Sequence, residues 1–351
     1  MNKPQQPHIE LRTSPHVKAA PTVEQIMRNV VYALLPIAAF AVWQFGISAL
    51  ALILVVTGSC LATEYAFSRS AGRGNTLSDW SAAITGLLLA LTLPPGFPLW
   101  MGAVAGFIAI ALGKTLFGGL GYNVFNPALV GRAFVQAAFP VAITTWTPAG
   151  LPGRFVEFIP TTLALPFMTP PAVGEWSKQQ VDSFSGATPL AQWKFEGVIT
   201  STSDLFTGMV AGSAGETSAL LILLCGIYLA ARRMMDWRIP SAVLLGAFVT
   251  ALVFHLLNDQ HYPTPLFVLF SGGLMLGALF MASDMVASPV TPWGVWIYGL
   301  FIGVLTVIIR YFGGLSEGVM YAILLGNALS PLIEHITQPR IYGARKSGAK
   351  S

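Results

Sequence analysis

The sequence predicts an all-α polytopic membrane protein of about ten transmembrane helices, arranged as two inverted five-helix repeats. Three observations predict it. Of the 351 residues, 54% are hydrophobic and only 10% charged, with a mean hydropathy of +0.66; soluble domains carry about 25% charged residues. Ten apolar runs approach the roughly 20 residues that a spanning helix needs. A segment of the first half also recurs in the second, five spans later.

Taken in order, residues 1–22 form a polar, Pro-containing tail, with no short apolar core ahead of a cleavage site, so no signal peptide is expected. The first repeat, 23–140, holds runs near 26–43, 46–67, 80–94, 98–116 and 124–140. Its third run stops at Leu93-Pro94-Pro95-Gly96, and its fifth opens on Asn126-Pro127 after a Gly-rich lead-in. Residues 141–216 change character: seven prolines and six acids make a long loop, of a length usually tied to function or disorder. The second repeat, 217–336, holds runs near 217–232, 239–257, 264–282, 294–311 and 317–336, and residues 337–351 form a basic tail.

Orientation follows from the basic residues, which favour the cytoplasmic side. A cytoplasmic N-terminus puts 14 of the 19 Lys and Arg on that side, Lys114 and the Arg232-Arg233 pair among them. Only Arg154, Lys178, Lys194 and Arg310 fall opposite, and Arg132 lies within a span. Both termini are then cytoplasmic and the 141–216 loop faces outward.

The repeat is carried by Phe117-Gly118-Gly119-Leu120 and Phe312-Gly313-Gly314-Leu315, at an offset of 195. At the same offset Val124, Leu129, Gly131 and Ala133 meet Val319, Leu324, Gly326 and Ala328. A looser echo links Gly86-Leu87-Leu88-Leu89 with Gly273-Leu274-Met275-Leu276. Five spans per half make the halves enter the membrane in opposite senses, as in transporters, where broken helices meet near the midplane. The candidates for such breaks are Asn126-Pro127 and the stretch Gly326-Asn327-Ala328-Leu329-Ser330-Pro331. They mark either a ligand or ion site or simply two kinked, packed helices. By itself the repeat also suits a channel or carrier for a small neutral solute.

Several chemistries are excluded. No Lys/Arg stripe with interleaved aromatics offers a surface to nucleic acid. The two cysteines, Cys60 and Cys225, sit in apolar runs as small hydrophobes, and two thiols cannot hold an iron–sulfur cluster. The loop has no His and no Cys, hence no metal-ligand cluster and no Ser–His–Asp arrangement. No catalytic residues and no metal ligands are expected. No dinucleotide fingerprint is present either, so oxidation of NADH or ferredoxin would fall to other chains.

The loop does contain Asp182-Ser183-Phe184-Ser185-Gly186-Ala187-Thr188, of the form D-x-x-[ST]-G-A-[ST]. Small residues leave room for a bulky group, and Pro189 keeps Thr188 extended. A threonine hydroxyl does not activate itself at neutral pH, so a phosphoester on it requires a separate transferase and an exposed peptide.

With this motif, ten spans and the paired 117–133 and 312–328 segments, the whole chain resembles the NqrB/RnfD family of membrane subunits, found in ion-translocating electron-transport complexes of the bacterial inner membrane. The resemblance implies that Thr188 carries FMN through a phosphodiester bond, with Asp182, Ser185, Gly186 and Ala187 recognised by a flavin transferase of the ApbE type. It further implies a urea-transporter-like fold, a second, non-covalent flavin (riboflavin) in the membrane part, and partner Rnf subunits carrying flavins and iron–sulfur centres. Electron relay would be coupled to Na+ or H+ movement.

Ionisable groups inside spans are costly and functional by default. Glu64, Asp284, Glu334 and His335 lie near predicted ends, where they can reach water; His255 also falls within a run. Arg132 has little polar cover, and pairs with a flavin, a lipid phosphate of the surrounding membrane or a neighbouring subunit. No wire for protons or sodium is visible among these residues.

Overall fold

The computed structural model describes residues 22–72, 76–166, 168, 187–216 and 218–339, and every regular element among them is helical. Asp182, Ser185 and Gly186 lie outside the described residues, as do most of both tails.

The first half contains α1 (Val23–Phe45), α2 (Ile47–Ser70), α3 (Ser81–Thr92), α4 (Leu99–Thr115) and α5 (Pro127–Ala138). The long loop contributes α6 (Pro140–Thr144), α7 (Pro189–Ala191, running on through Gln192–Glu196) and α8 (Thr202–Thr207). The second half contains α9 (Ala219–Ala231), α10 (Arg238–Leu257), α11 (Pro265–Phe270), α12 (Leu274–Leu276, running on through Gly277–Met281), α13 (Pro292–Phe312) and α14 (Val319–Thr337). Five of these, α1, α2, α10, α13 and α14, are long and apolar enough to cross a bilayer, and α3, α4 and α9 are shorter apolar helices. The chain is a multi-pass membrane protein.

Local chemistry sets the boundaries. Thr22 opens α1 with a capping box, its side chain accepting the Gln25 amide. Proline opens α5, α6, α7, α11 and α13, where its missing N–H leaves no donor unpaired. Between α1 and α2 the chain turns at Gly46 (φ +73°), where a Cβ would collide with the Arg154 carbonyl; only glycine serves there. α3 stops at Thr92 because Leu93 precedes Pro94 and is held extended.

Two expectations fail here. The run near 264–282 is two short helices, broken at Ser271-Gly272-Gly273, with Gly272 at φ +59°. Arg310 stabilises the break, donating to the carbonyls of Val268 (2.6 Å) and Ser271 (3.0 Å) that the interruption frees. Conversely Pro331 does not break its helix and lies inside an uninterrupted α14; proline is tolerated in membrane helices where neighbours compensate the lost bond.

In the first half α2 packs on α3 and α4, and α4 on α5; in the second α10 packs on α11 and α13, and α13 on α14. Across the halves α1 meets α9 and α5 meets α14. Two small-residue seams draw helix axes together. A methyl on Gly106 of α4 would lie 2.9 Å from the Val56 carbonyl of α2, and one on Gly102 meets Val56 and Leu52. On α13, a methyl on Gly299 would lie 2.9 Å from the Ile239 carbonyl of α10, and one on Gly303 would strike the Val243 carbonyl.

Candidate functional site

Thr188 heads α7. Its backbone is extended (φ −67°, ψ 156°) and its Oγ accepts the Ala191 amide at 3.2 Å, capping the helix. Contrary to the expectation of an exposed peptide, Thr188 is only 4% exposed. It lines a cavity of about 10 Å³ together with Ser213, Glu216, Phe270, Gly272 and Glu317. That volume admits about one water; pocket ligands of drug size occupy roughly 300 Å³ or more. The hydroxyl is chemically suited to a phosphoester, but as packed the site has no room for FMN.

The segment is fastened to the second half. Lys194 Nζ donates to the carbonyls of Arg310 (2.8 Å), Gly313 (2.5 Å) and Leu315 (2.9 Å) at the C-terminal end of α13. Those carbonyls lack helical partners, and the cation also complements the negative end of the helix dipole. Partial burial lowers the Lys194 pKa below the ordinary lysine range. Beside it, Trp193 packs against Tyr311 with ring centroids 5.4 Å apart, and Leu190 is buried.

Directly beneath lies a buried ion cluster. Arg132 Nη1 of α5 donates to Glu216 Oε1 at 2.9 Å, and Arg132 Nη2 lies 4.0 Å from Glu317 Oε2. Arg132 and Glu216 are 4% and 6% exposed. Glu216 reaches this depth because its loop folds inward: Gly215 N bonds Leu91 O at 2.8 Å and Ala214 N bonds Leu93 O at 3.0 Å. Arg132 therefore pairs within the chain. Arg310, counted in the sequence among the basic residues on the outward side, is 1% exposed inside α13.

At the opposite end of the bundle stands a second buried cluster. Lys114 Nζ meets Glu64 Oε1 at 2.6 Å, Ser81 Oγ at 2.5 Å and Asp79 Oδ2 at 3.9 Å. The wide final turn of α4, Ala111–Thr115, carries Lys114 inward to 4% exposure. Glu64 is thus an interior partner in an ion pair and not a group at the rim. The other intramembrane candidates do lie at helix ends: Glu334 Oε1 accepts the Val290 amide, Asp284 Oδ1 accepts the Val286 amide, and His255 Nδ1 meets the Tyr262 carbonyl.

Between the halves Asn126 caps α5, accepting the amides of Ala128 and Leu129, and its Nδ2 donates to Met281 O at 3.4 Å. Asn327 of α14, with its amide oriented to satisfy its neighbours, accepts the Asn126 N–H at 3.1 Å and donates to the Tyr298 hydroxyl at 2.7 Å. The two stretches singled out from the repeat therefore touch. A cleft of about 100 Å³ opens beside them, with apolar walls such as Ile84, Leu88 and Phe280 and polar groups from Asn123, Asn126, Ser283 and Asp284. The free thiols of Cys60 and Cys225 are buried. Among the described residues no group of His, Cys, Asp and Glu is arranged to hold a metal ion.

Over residues 10–343 the chain matches the model of the NQR2, RnfD, RnfE family. It is 42% identical over 343 residues to the D subunit of a Na(+)-translocating ferredoxin:NAD(+) oxidoreductase complex from Acetobacterium woodii, covering 97% of this chain and 96% of that protein. It is 39% identical over 336 residues to the D subunit of the proton-translocating ferredoxin:NAD(+) oxidoreductase complex of Clostridium ljungdahlii, covering 96% of each. With the D subunit of an ion-translocating oxidoreductase complex from Halorhodospira halophila it shares 36% identity over 354 residues, covering 97% of each.

Proposed function

Because the chain belongs to the NQR2, RnfD, RnfE family, we propose that it is a membrane subunit of an ion-translocating oxidoreductase, relaying electrons between partner subunits while Na+ or H+ crosses the membrane. In this reading FMN is attached to Thr188 through its phosphate by a transferase of the ApbE type, and supplies the redox chemistry. The observation that carries it is the complete D-x-x-[ST]-G-A-[ST] string ending at Thr188, at the head of a helix bound to α13 through Lys194. The chain holds no complete active site; ferredoxin or NADH is oxidised by partners bearing flavins and iron–sulfur centres.

The scaffold is read as two inverted five-helix repeats with a urea-transporter-like arrangement, α11 and α12 together standing for one broken span. Equivalent packing of α2 on α4 and of α10 on α13 supports this, as do the paired glycines. Gly131 and Gly326, matched by sequence, lie on equivalent stretches of the preceding helix: a methyl on one meets Ala105 and Ala109, on the other Tyr298 and Ile302. Both termini are assigned to the cytoplasm and the Thr188 loop to the outer side of the bacterial inner membrane. The second, non-covalent flavin (riboflavin) belongs to the membrane part in this reading; the cleft beside Asn126, at about 100 Å³, is smaller than the roughly 300 Å³ of a pocket for such a ligand, and no residues are assigned to it.

The test is direct. Full-length protein expressed with the flavin transferase, denatured and run on a gel, should fluoresce under ultraviolet light, and Thr188→Ala should be dark. A dark wild-type band removes the covalent flavin and leaves the chain a membrane scaffold of the complex with a vestigial motif, and a fluorescent Thr188→Ala band moves the attachment elsewhere.

A further inference from the structure

The two halves present different things at matching positions. Lys194 donates to the carbonyls of Arg310, Gly313 and Leu315 at the outer end of α13. With it α7 packs against that half, Leu190 buried and Trp193 against Tyr311. At the repeat offset of 195 those three residues correspond to Thr115, Gly118 and Leu120, at the end of α4. All three line the hollow of about 620 Å³ at the opposite end of the bundle. Each helix end also stands beside a buried cation that reaches the approach to a short helix. Lys114 bonds Ser81 Oγ at the start of α3, and Arg310 bonds the Ser271 carbonyl ahead of α12. Where the second half seats a helix carrying a lysine, the first half presents a hollow.

The walls of the hollow specify what would fit it. Glu64 and Asp79 outnumber Lys114 there. Glu64 is 4% exposed, and its Oε2 is buried without a hydrogen-bond partner, a costly condition for a carboxylate oxygen. A second cation would pair with it, and would also complement the negative end of the α4 dipole. Phe67, Ala71 and Leu120 add apolar surface. Resting on the reading of the chain as one subunit of a complex, built on an inverted repeat, we propose that the hollow is the seat of a helical segment of another subunit. That segment presents a Lys or Arg to Glu64 and the end of α4, and packs apolar side chains on Phe67 and Leu120. The contact of α7 with the end of α13 is its counterpart inside this chain.

The experiment compares the full-length chain purified alone with the complex kept in its native membrane, each carrying Ala71→Cys, an exposed position on the wall. One sample is timed against a soluble maleimide; a second is coupled to a benzophenone maleimide and illuminated. The lone chain should react several-fold faster than the complex, and the photoadduct in the complex should join this chain to one co-purifying subunit. Glu64→Gln, or Asp79→Asn if the first fails to fold, should restore much of the reactivity in the complex by weakening the seat. Equal reactivity in both preparations, with the other subunits present, overturns the proposal and leaves membership of the complex standing. Protection that survives both charge substitutions overturns it too, because any bulky neighbour would then serve. A lone chain that reacts slowly until residues 1–21 are removed, or a photoadduct within this chain, gives the seat to its own tail and likewise overturns it. A chain that leaves its native membrane with no other subunit overturns both readings.

Discussion

Arg132 and Glu216 stand 84 residues apart in the chain and 2.9 Å apart in space. Neither residue announces its partner. Glu216 reads as one acid among six in a loop, because the inward fold that buries it depends on two main-chain bonds to Leu91 and Leu93 that no side-chain pattern encodes. Arg132 was legible as an anomaly, since a guanidinium within a span demands compensation, but its partner was not. Breaking a buried pair by removing one member costs about 3–5 kcal/mol, while replacing both by apolar groups is often neutral. Here the two members are unequal. Arg132→Met leaves Glu216 and Glu317 sharing Arg310 as their one remaining nearby cation, whereas after Glu216→Leu the guanidinium keeps Glu317 at 4.0 Å. Thermal unfolding in detergent should therefore rank Arg132→Met as the more damaging single change, with the Arg132→Met/Glu216→Leu double variant recovering much of the loss. A double variant as unstable as the sum of the singles would deny the coupling.

Helix existence was largely legible, and helix continuity was not. Proline drew attention to residue 331, yet α14 runs through it. The actual interruption, at Ser271-Gly272-Gly273, carries no proline, and its stabilising group arrives from Arg310 on another helix. The glycine seams were also missed, because four-residue spacing is common in a chain with 35 glycines, and only the facing carbonyl shows which spacing matters. This separates glycines that look alike in the sequence of two packed helices. Gly106 of α4 faces the Val56 carbonyl at 2.9 Å, while Gly58 of α2 has open space where a Cβ would stand. Gly106→Ala should destabilise by roughly 1–3 kcal/mol, the usual cost of overpacking. Gly58→Ala should be neutral or mildly stabilising, since alanine is the better helix former by about 1 kcal/mol. Equal unfolding temperatures for the two would mean that α2 and α4 do not approach at Gly106.

At the scale of the molecule, the two ends of the bundle differ in what they expose and in what they bury. One end gathers the long loop, Thr188 and the Arg132 cluster; the other holds the Lys114–Glu64 pair beneath a hollow of about 620 Å³ that also exposes Asp79 and Ser68 to its interior. Basic residues remain biased toward the second end even after Lys114 and Arg310 are recognised as buried, because Arg69, Arg232, Arg233 and Arg238 all lie there. That bias predicts the second end to be cytoplasmic, and the chain is suited to a labelling test. Its two native thiols are nearly inaccessible, Cys60 at 0% and Cys225 at 8% exposure, so replacing both with serine or alanine removes a background that is already small. Single cysteines at Val156 and Ile199 of the long loop, 83% and 55% exposed, should react in intact cells stripped of their outer membrane with a maleimide that cannot cross the inner one. A cysteine at Trp237, 59% exposed between α9 and α10, should stay unlabelled until the membrane is opened. The reverse pattern would place Thr188 on the cytoplasmic side, and any flavin on it would then exchange electrons with cytoplasmic partners. Labelling of all three positions in closed cells would instead contradict the odd number of crossings that separates α5 from the α9–α10 connection on the inverted-repeat reading.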